Sequence, residues 1–235
     1  MTAPRPILIH GSGGDHRVWA RQCERLEGAV ALDLPGRPDG EPALDLATLA
    51  AACAAAVESV EGPRVLVGHS LGGAVALEVA RLHPHLVHGL IVVSGAARLP
   101  VPDATVARAR DDFAAERARL VDGFFADPAA PMARLAAEAL DACGARALTA
   151  DYAVCRTVDL RGLLGGLRVP ALVVVGSEDP FTPPWMAEEL ARELPMSAMV
   201  VIPGARHMPM AEFDLTVTGL IAAYLARLEL TLSGA

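Results

Sequence analysis

The sequence predicts an α/β fold: a doubly wound, mostly parallel sheet of about six strands, with a helical insertion ahead of the fifth strand. Three observations predict it. Short apolar runs alternate with helical segments along most of the chain. Each run is bounded by glycine, proline or polar residues, as in parallel strands buried on both faces. The 235 residues suffice for one domain with a sizeable core and are few for two.

The elements follow in order. Six apolar runs are predicted as strands: residues 7–9, 29–32, 64–67, 89–93, 170–175 and 198–202. Helices are predicted between and after them, at 46–59, 71–82, 183–194 and 213–229. Asp45 is a candidate N-cap for the first helix, and the second stops before Pro84. Prolines open the third helix and follow it.

No convincing strand is found between Val93 and Pro170. Helical patterns cover 103–121, 132–143 and 145–157 instead. This interval is either an extra helical layer or a lid, and its place among the motifs below favours a lid. We therefore expect residues 1–96 and 168–235 to form the core of a single domain and residues 97–167 to form a helical cap.

Composition limits the possible partners. The net charge is −8, every basic residue apart from histidine is arginine, and no cationic stripe is present, so we expect neither nucleic acid nor an anionic membrane surface as a ligand. Four separate cysteines form no CxxC pair, which suggests structural thiols in a reducing cytoplasm. No signal-like N-terminus and no apolar run of about 18 residues is recognised. We expect a cytoplasmic monomer or homodimer without a membrane partner.

A serine between glycines, in the stretch GHSLGG, stands where a predicted strand meets a predicted helix. A hydroxyl is a poor nucleophile unless a base takes its proton and its geometry is fixed. A sharp strand-to-helix turn raises Ser70 above the sheet, while Gly68 and Gly72 leave room for a strained backbone. A GxSxG pattern also arises by chance in glycine-rich chains, but this context predicts a nucleophile.

A base and an acid for that serine follow in a suitable chain order. In the stretch PGARHMPMAE, His207 lies after the last predicted strand, where it can reach the carboxyl edge of the sheet. Asp179, in the turn after the preceding strand, can accept the imidazole N–H and fix its tautomer. Glu178 is a neighbouring alternative, and Asp179 could instead cap the next helix. We predict that Ser70, His207 and Asp179 act together.

The stretch HGSGG after the first predicted strand is the candidate for binding an oxyanion. Its turn can point the backbone N–H of Ser12, or as second choice that of Gly13, at the space above Ser70. Leu71, which follows the nucleophile, provides the other N–H. Phosphate binding is the alternative, but the stretch has neither GxGxxG nor the GK[ST] ending of a P-loop.

No cofactor and no metal are expected. The stretch HPHLVH invites a metal-site interpretation, but no Asp or Cys cluster accompanies it, and histidines at helix ends and in loops are more often structural. We therefore expect His69, His83, His85 and His88 to be structural rather than metal ligands.

Taken together, the motifs resemble those of the α/β-hydrolase family. They occur in family order: HG after the first strand with Trp19 beyond it, then GHSLGG, GSEDPFTPP and GARHMPMAE. Among subfamilies the chain is most similar to small bacterial esterases, enol-lactone hydrolases and thioesterase-like proteins. The resemblance implies the family fold, a Ser70–His207–Asp179 triad and an oxyanion hole from Ser12 and Leu71. One departure is that only six residues precede the first predicted strand, so we expect the family's usual N-terminal antiparallel hairpin to be absent.

The expected function is hydrolysis of a small-molecule carboxylic ester, thioester or lactone through an acyl-enzyme. Two alternatives remain open: a cofactor-free lyase or C–C bond hydrolase that uses the same triad, and a non-catalytic ligand-binding relative. The residues considered for the substrate pocket are Gly11, Gly13, Phe113, Phe124, Phe181 and Met208.

Overall fold

A computed structural model describes residues 3–37 and 39–234 of the chain. Its sheet has six parallel strands in the order β2-β1-β3-β4-β5-β6. They are β1 (Arg5–Ile9), β2 (Val30–Leu32), β3 (Arg64–His69), β4 (Gly89–Val93), β5 (Ala171–Gly176) and β6 (Ser197–Ile202). The prediction of a six-stranded, mostly parallel sheet is confirmed, and no strand end differs by more than two residues.

Nine α-helices are formed by the described residues. They are α1 (Ala20–Arg25), α2 (Leu46–Glu58), α3 (Leu71–Leu82), α4 (Asp103–Asp111), α5 (Phe113–Phe124), α6 (Pro131–Thr157), α7 (Pro184–Glu193), α8 (Pro209–Glu212) and α9 (Asp214–Ser233). Asp45 caps α2 as predicted, because its side chain accepts the backbone N–H of Thr48 at 2.7 Å.

Alternate side chains of each strand enter two separate cores. Ile7 and Ile9 of β1 face one cluster, to which α2, α3 and α7 contribute, while Leu8 faces the other, to which α9 and the insertion helices contribute. All three residues are fully buried. A sheet covered on both faces explains why its strands read as continuous apolar runs rather than as an alternating pattern.

The insertion between β4 and β5 is helical, with boundaries that differ from the predicted ones. The segment predicted as one helix over 103–121 breaks at Asp112, whose side chain accepts the N–H of Ala115 and so starts α5. The predicted helices at 132–143 and 145–157 meet at Gly144, which has φ 72° and interrupts α6. The short α1 and the 3-10 turn His16–Trp19 before it were not predicted.

The last helix, α9, is long and apolar enough to cross a membrane by length and composition alone. Thr218, Arg227 and Glu229 interrupt its apolar residues, so it is not a continuous apolar run of the kind sought in the sequence. One such helix is a weak indication, since a core helix passes the same test. Val217, Ile221 and Leu228 on one side of α9 are buried in the sheet's second core.

Candidate active site

Ser70 occupies a strained turn between β3 and α3. Its φ of 52° and ψ of −116° lie where residues other than glycine are uncommon. The neighbouring glycines make this turn possible. A Cβ at Gly68 would fall on the carbonyl oxygen of Gly72, and a Cβ at Gly72 would fall on the carbonyl oxygens of the β1 end. The turn is therefore specified by close backbone packing as well as by the serine.

His207 and Asp179 form a buried pair beside this turn. His207 Nδ1 lies 2.9 Å from both carboxylate oxygens of Asp179, and the two residues are 4% and 3% exposed. The carboxylate also accepts the backbone N–H groups of Phe181 and Thr182 and the Thr182 hydroxyl, each at 2.9 Å. Glu178, the neighbouring candidate, is exposed.

The surroundings of the pair keep the Asp179 carboxylate charged. Burial alone would raise the pKa of Asp179, but the charge of His207 and the hydrogen bonds from His207, Thr182 and Phe181 outweigh it and lower the pKa to about 2. The carboxylate is therefore ionised at neutral pH. Since Nδ1 faces Asp179, Nε2 is the ring nitrogen of His207 without a partner among the described residues.

A second histidine holds the loop that carries the first. His69 Nε2 donates to the backbone carbonyl of His207 at 2.9 Å, and the two rings lie 4.9 Å apart. Burial, followed by the nearby charge of His207, lowers the pKa of His69 to about 3, so its ring stays neutral. Phe124 stacks on the ring of His207 at 5.7 Å, and Phe181 meets it edge-on at 5.0 Å. The imidazole is enclosed by aromatic rings.

The glycine-rich turn after β1 approaches Ser70 closely. A Cβ at Gly11 would lie 2.7 Å from His69 Nδ1 and 3.0 Å from Ser70 Cβ. In the described part of the chain, the backbone N–H groups of Ser12 and Leu71 donate to no acceptor. The N–H of Gly13, the second choice for oxyanion binding, donates to Asp151 Oδ2 at 2.9 Å and is occupied.

A buried ion pair fastens this turn to the insertion. Asp151 of α6 and Arg37 form it, with side chains 3% and 1% exposed. Arg37 also donates to the carbonyls of Gly14, at 3.2 Å, and Pro35, at 3.0 Å. Neither residue was predicted from the sequence, because the contacts of Asp151 with Arg37 and Gly13 join positions more than 100 residues apart.

The loop that carries His207 is also tied to the insertion. Glu212 accepts the backbone N–H of Ala126 at 2.7 Å and that of Arg206 at 2.6 Å. The guanidinium of Arg206 donates to the carbonyl of Asp122. The insertion therefore contacts both chain segments that surround Ser70.

A cavity of about 320 Å³ lies above Ser70, and His207 and Ser12 also line it. Of the predicted pocket residues, Phe124 and Phe181 line this cavity, whereas Gly11, Gly13 and Met208 line a small adjacent space of about 10 Å³. Phe113, at the start of α5, lines neither space and packs half-buried against the second core. Arg119 and Tyr152 line the larger cavity and were not predicted.

The remaining candidates lie elsewhere. The rings of His83 and His85 are 6.2 Å apart at the end of α3, and across residues 3–37 and 39–234 no three His, Cys, Asp or Glu side chains group in a way that could hold a metal ion. Burial raises the pKa of Cys155, at the cavity wall, to about 12, so its thiol is not a competing nucleophile at neutral pH.

Known proteins are similar to this chain over most of its length. Residues 7–217 match the family model described as "Alpha/beta hydrolase family". A pimeloyl-[acyl-carrier protein] methyl ester esterase of Neisseria meningitidis is 32% identical over 228 residues, covering 86% of this chain and 85% of the relative.

The fold of this chain is also similar to that of two solved structures. A thermophilic esterase superposes with a TM-score of 0.86 at 30% identity, covering 95% of this chain and 90% of the other. The enol-lactonase from Burkholderia xenovorans LB400 superposes with a TM-score of 0.84 at 21% identity, covering 96% and 92%. The second likeness is one of fold.

Proposed function

Because this chain belongs to the α/β-hydrolase family, we propose that it hydrolyses a carboxylic ester, thioester or lactone of a small molecule through an acyl-enzyme on Ser70. The observation that carries the proposal is the buried His207–Asp179 pair at the cavity into which the strained Ser70 turn opens. The similarity to proteins named as esterases supports the reaction class.

In the first half of the reaction, the Ser70 hydroxyl attacks the substrate carbonyl carbon while His207 Nε2 takes its proton. Asp179 holds the ring through Nδ1 and stabilises the imidazolium that forms. The tetrahedral intermediate then expels the alcohol or thiol, which receives that proton from Nε2. An ester bond to Ser70 has formed, and the substrate's bond to its leaving group has broken.

In the second half, water attacks the acyl-enzyme. His207 takes a proton from this water and later returns it to the Ser70 oxygen, so the carboxylic acid leaves and the enzyme is restored. The backbone N–H groups of Ser12 and Leu71 stabilise the negative oxygen in both halves, which is supported by their lack of any acceptor among the described residues.

In this proposal the helical insertion covers the active site. Residues 97–167 form a cap over a core built from residues 1–96 and 168–235, and side chains of the cap supply one wall of the cavity. Leu120, Phe124 and Tyr152 from this region make the wall largely apolar, which suits an acyl chain. A cytoplasmic location and a monomeric or homodimeric state are also part of the proposal.

Turnover of an ester panel with a serine variant as control tests the proposal. Nitrophenyl esters of graded acyl length, lactones and acyl thioesters are assayed with the wild type and with Ser70→Ala. We expect the wild type to hydrolyse at least one class and Ser70→Ala to lose about six orders of magnitude in kcat, because nucleophile and base act as a unit. Thermal unfolding of both proteins verifies that the variant is folded.

Covalent labelling separates the alternatives. A fluorophosphonate should add to Ser70 in the wild type, and intact-protein mass during turnover of a slow ester should show an acyl adduct. Turnover without any adduct would favour the lyase or C–C bond hydrolase chemistry, and no turnover with any ester, lactone or thioester would favour a binding protein. Full activity in Ser70→Ala would refute the mechanism.

A further inference from the structure

Arg119 is the one side chain with a permanent charge among the described residues that line the Ser70 cavity. It extends from α5, in the insertion. The other lining groups are apolar or neutral polar, apart from His69 and His207. A guanidinium at the wall of a largely apolar ester cavity is costly unless an anion compensates it.

Contacts on two sides fix the position of the guanidinium. Its Nη2 and Nε donate to the carboxylate of Glu116 at 2.5 and 3.0 Å, in a bidentate arrangement. Its central carbon lies 5.0 Å from the centre of the Phe181 ring, in a cation–π contact. The remaining nitrogen, Nη1, donates to no acceptor in the described part of the chain. Arg119 is thus oriented in advance and retains free donors.

The local charge balance leaves a positive surplus. The carboxylate of Glu116 is fully buried and also accepts from Arg108 and from the hydroxyl of Tyr152. Burial would raise the pKa of Glu116, but the hydrogen bonds from Arg119, Arg108 and Tyr152 outweigh it and lower the pKa, so the group is ionised. Two guanidinium groups therefore share one carboxylate, and one positive charge is uncompensated within this cluster.

We propose that the cavity takes esters that carry an anionic group away from the scissile bond, and that Arg119 binds this group through Nη1. This inference rests on the proposed function and names its substrate class. The simplest such ligand is an ω-carboxyacyl ester. A phosphate oxygen satisfies the same donors, so the shared chemistry is an anionic oxygen group, and guanidinium suits both forms.

Matched pairs of esters test the inference. Nitrophenyl esters of ω-carboxyalkanoic acids of increasing length are compared with the corresponding ω-carboxamides, which have similar shape and no charge. We expect the carboxylate member of the best pair to exceed its amide in kcat/KM by about tenfold or more, equivalent to about 1.4 kcal/mol. The preference should fall as salt is added, because Arg119 is partly exposed.

Two variants separate substrate binding from support of Glu116. In Arg119→Gln the carboxylate-to-amide ratio should fall to about one. Arg108→Gln removes another partner of Glu116, and with it the surplus charge of the cluster, but alters no residue that lines the cavity. Its ratio should therefore stay well above that of Arg119→Gln. An ω-phosphate analogue used as a competitive inhibitor shows whether phosphate is preferred to carboxylate.

The outcomes are distinguishable. A wild-type ratio near one, with the amides hydrolysed normally, would overturn the inference and leave the proposed function intact. An unchanged ratio in Arg119→Gln would overturn it as well. Failure of the wild type to hydrolyse any ester would instead remove the proposed function on which the inference rests. The wild-type comparison decides the matter even if a variant does not fold.

Discussion

Replacing Asp151 with asparagine should weaken both the folded state and catalysis. Asp151 lies in α6, yet its Oδ2 accepts the N–H of Gly13 in the turn that carries Ser12. The same oxygen pairs with the buried guanidinium of Arg37. Asparagine has nearly the same shape and keeps one acceptor oxygen, so the change removes the charge with little loss of packing.

The expected size follows from the burial of the pair. Arg37 would remain as a buried cation without its partner, since its other acceptors, the carbonyls of Gly14 and Pro35 and the thiol of Cys143, are neutral. Removing one member of a buried pair costs about 3–5 kcal/mol, which for a chain of this length lowers Tm by about 6–20 °C. Loss of one oxyanion donor costs about 10²–10³ in kcat, so displacement of the turn should reduce kcat by up to about 10².

The assay combines thermal unfolding with steady-state kinetics on the same preparations. The double variant Arg37→Leu/Asp151→Leu is the matched control, because it removes both charges and should recover much of the stability lost in the single variant. It leaves the N–H of Gly13 without an acceptor, so kcat should stay low. A single variant with wild-type Tm and kcat, or a double variant with recovered kcat, would refute this reasoning.

Three further predictions concern other parts of the site. Asp179→Asn should lower kcat about 10³–10⁴-fold with little change in KM, because a neutral amide does not stabilise the imidazolium of His207. A loss of kcat below tenfold in steady-state assays would contradict the assigned pairing. Gly72→Ala should lower the free energy of unfolding, measured in urea, by about 2–3 kcal/mol or more, because the added Cβ meets backbone carbonyls. In the control Gly166→Ala the added Cβ meets open space, so the change should stay within about 0.5 kcal/mol. The reverse ranking would be inconsistent with the packing described. Burial, followed by the charge of nearby Arg37, lowers the pKa of His10 from 6.5 to about 4. Between pH 4 and 6.5 the unfolded state therefore binds a proton that the folded state does not. The free energy of unfolding should fall as the pH decreases through this range, by up to about 1.4 kcal/mol per pH unit for this group. Unfolding free energies measured across that window should therefore show a smaller slope in His10→Gln, and equal slopes would argue against a buried neutral ring.

The sheet could be predicted from the sequence because every central strand is buried on both faces. Such strands leave unbroken apolar runs, and the run at 89–93 has the same first and last residues as β4. The carboxyl ends of parallel strands meet at one edge, so motifs after β3, β5 and β6 were predicted to converge there. The structure brings Ser70, His207 and Asp179 to one end of the sheet.

The features missed by sequence analysis depend on distant contacts or on helix rotation. The pairing of Asp151 with Gly13 joins two elements that no local periodicity relates. Phe113 and Arg119 both lie on α5, and only the packing of that helix decides that Arg119 lines the cavity and Phe113 does not. The break at Asp112 was missed because the residues on both sides favour a helix, while the aspartate cap separates them.

The attachment of the insertion on two sides limits how its specificity can be redesigned. Exchanging residues 97–167 for the equivalent region of another protein would remove the Asp151 carboxylate from the turn that carries Ser12 and the backbone partners of Glu212 and Arg206 from the loop that carries His207. A chimera that copies only the cavity wall would therefore lose turnover together with its old selectivity. Grafts should keep an acid at position 151 and the main-chain path at 122–126.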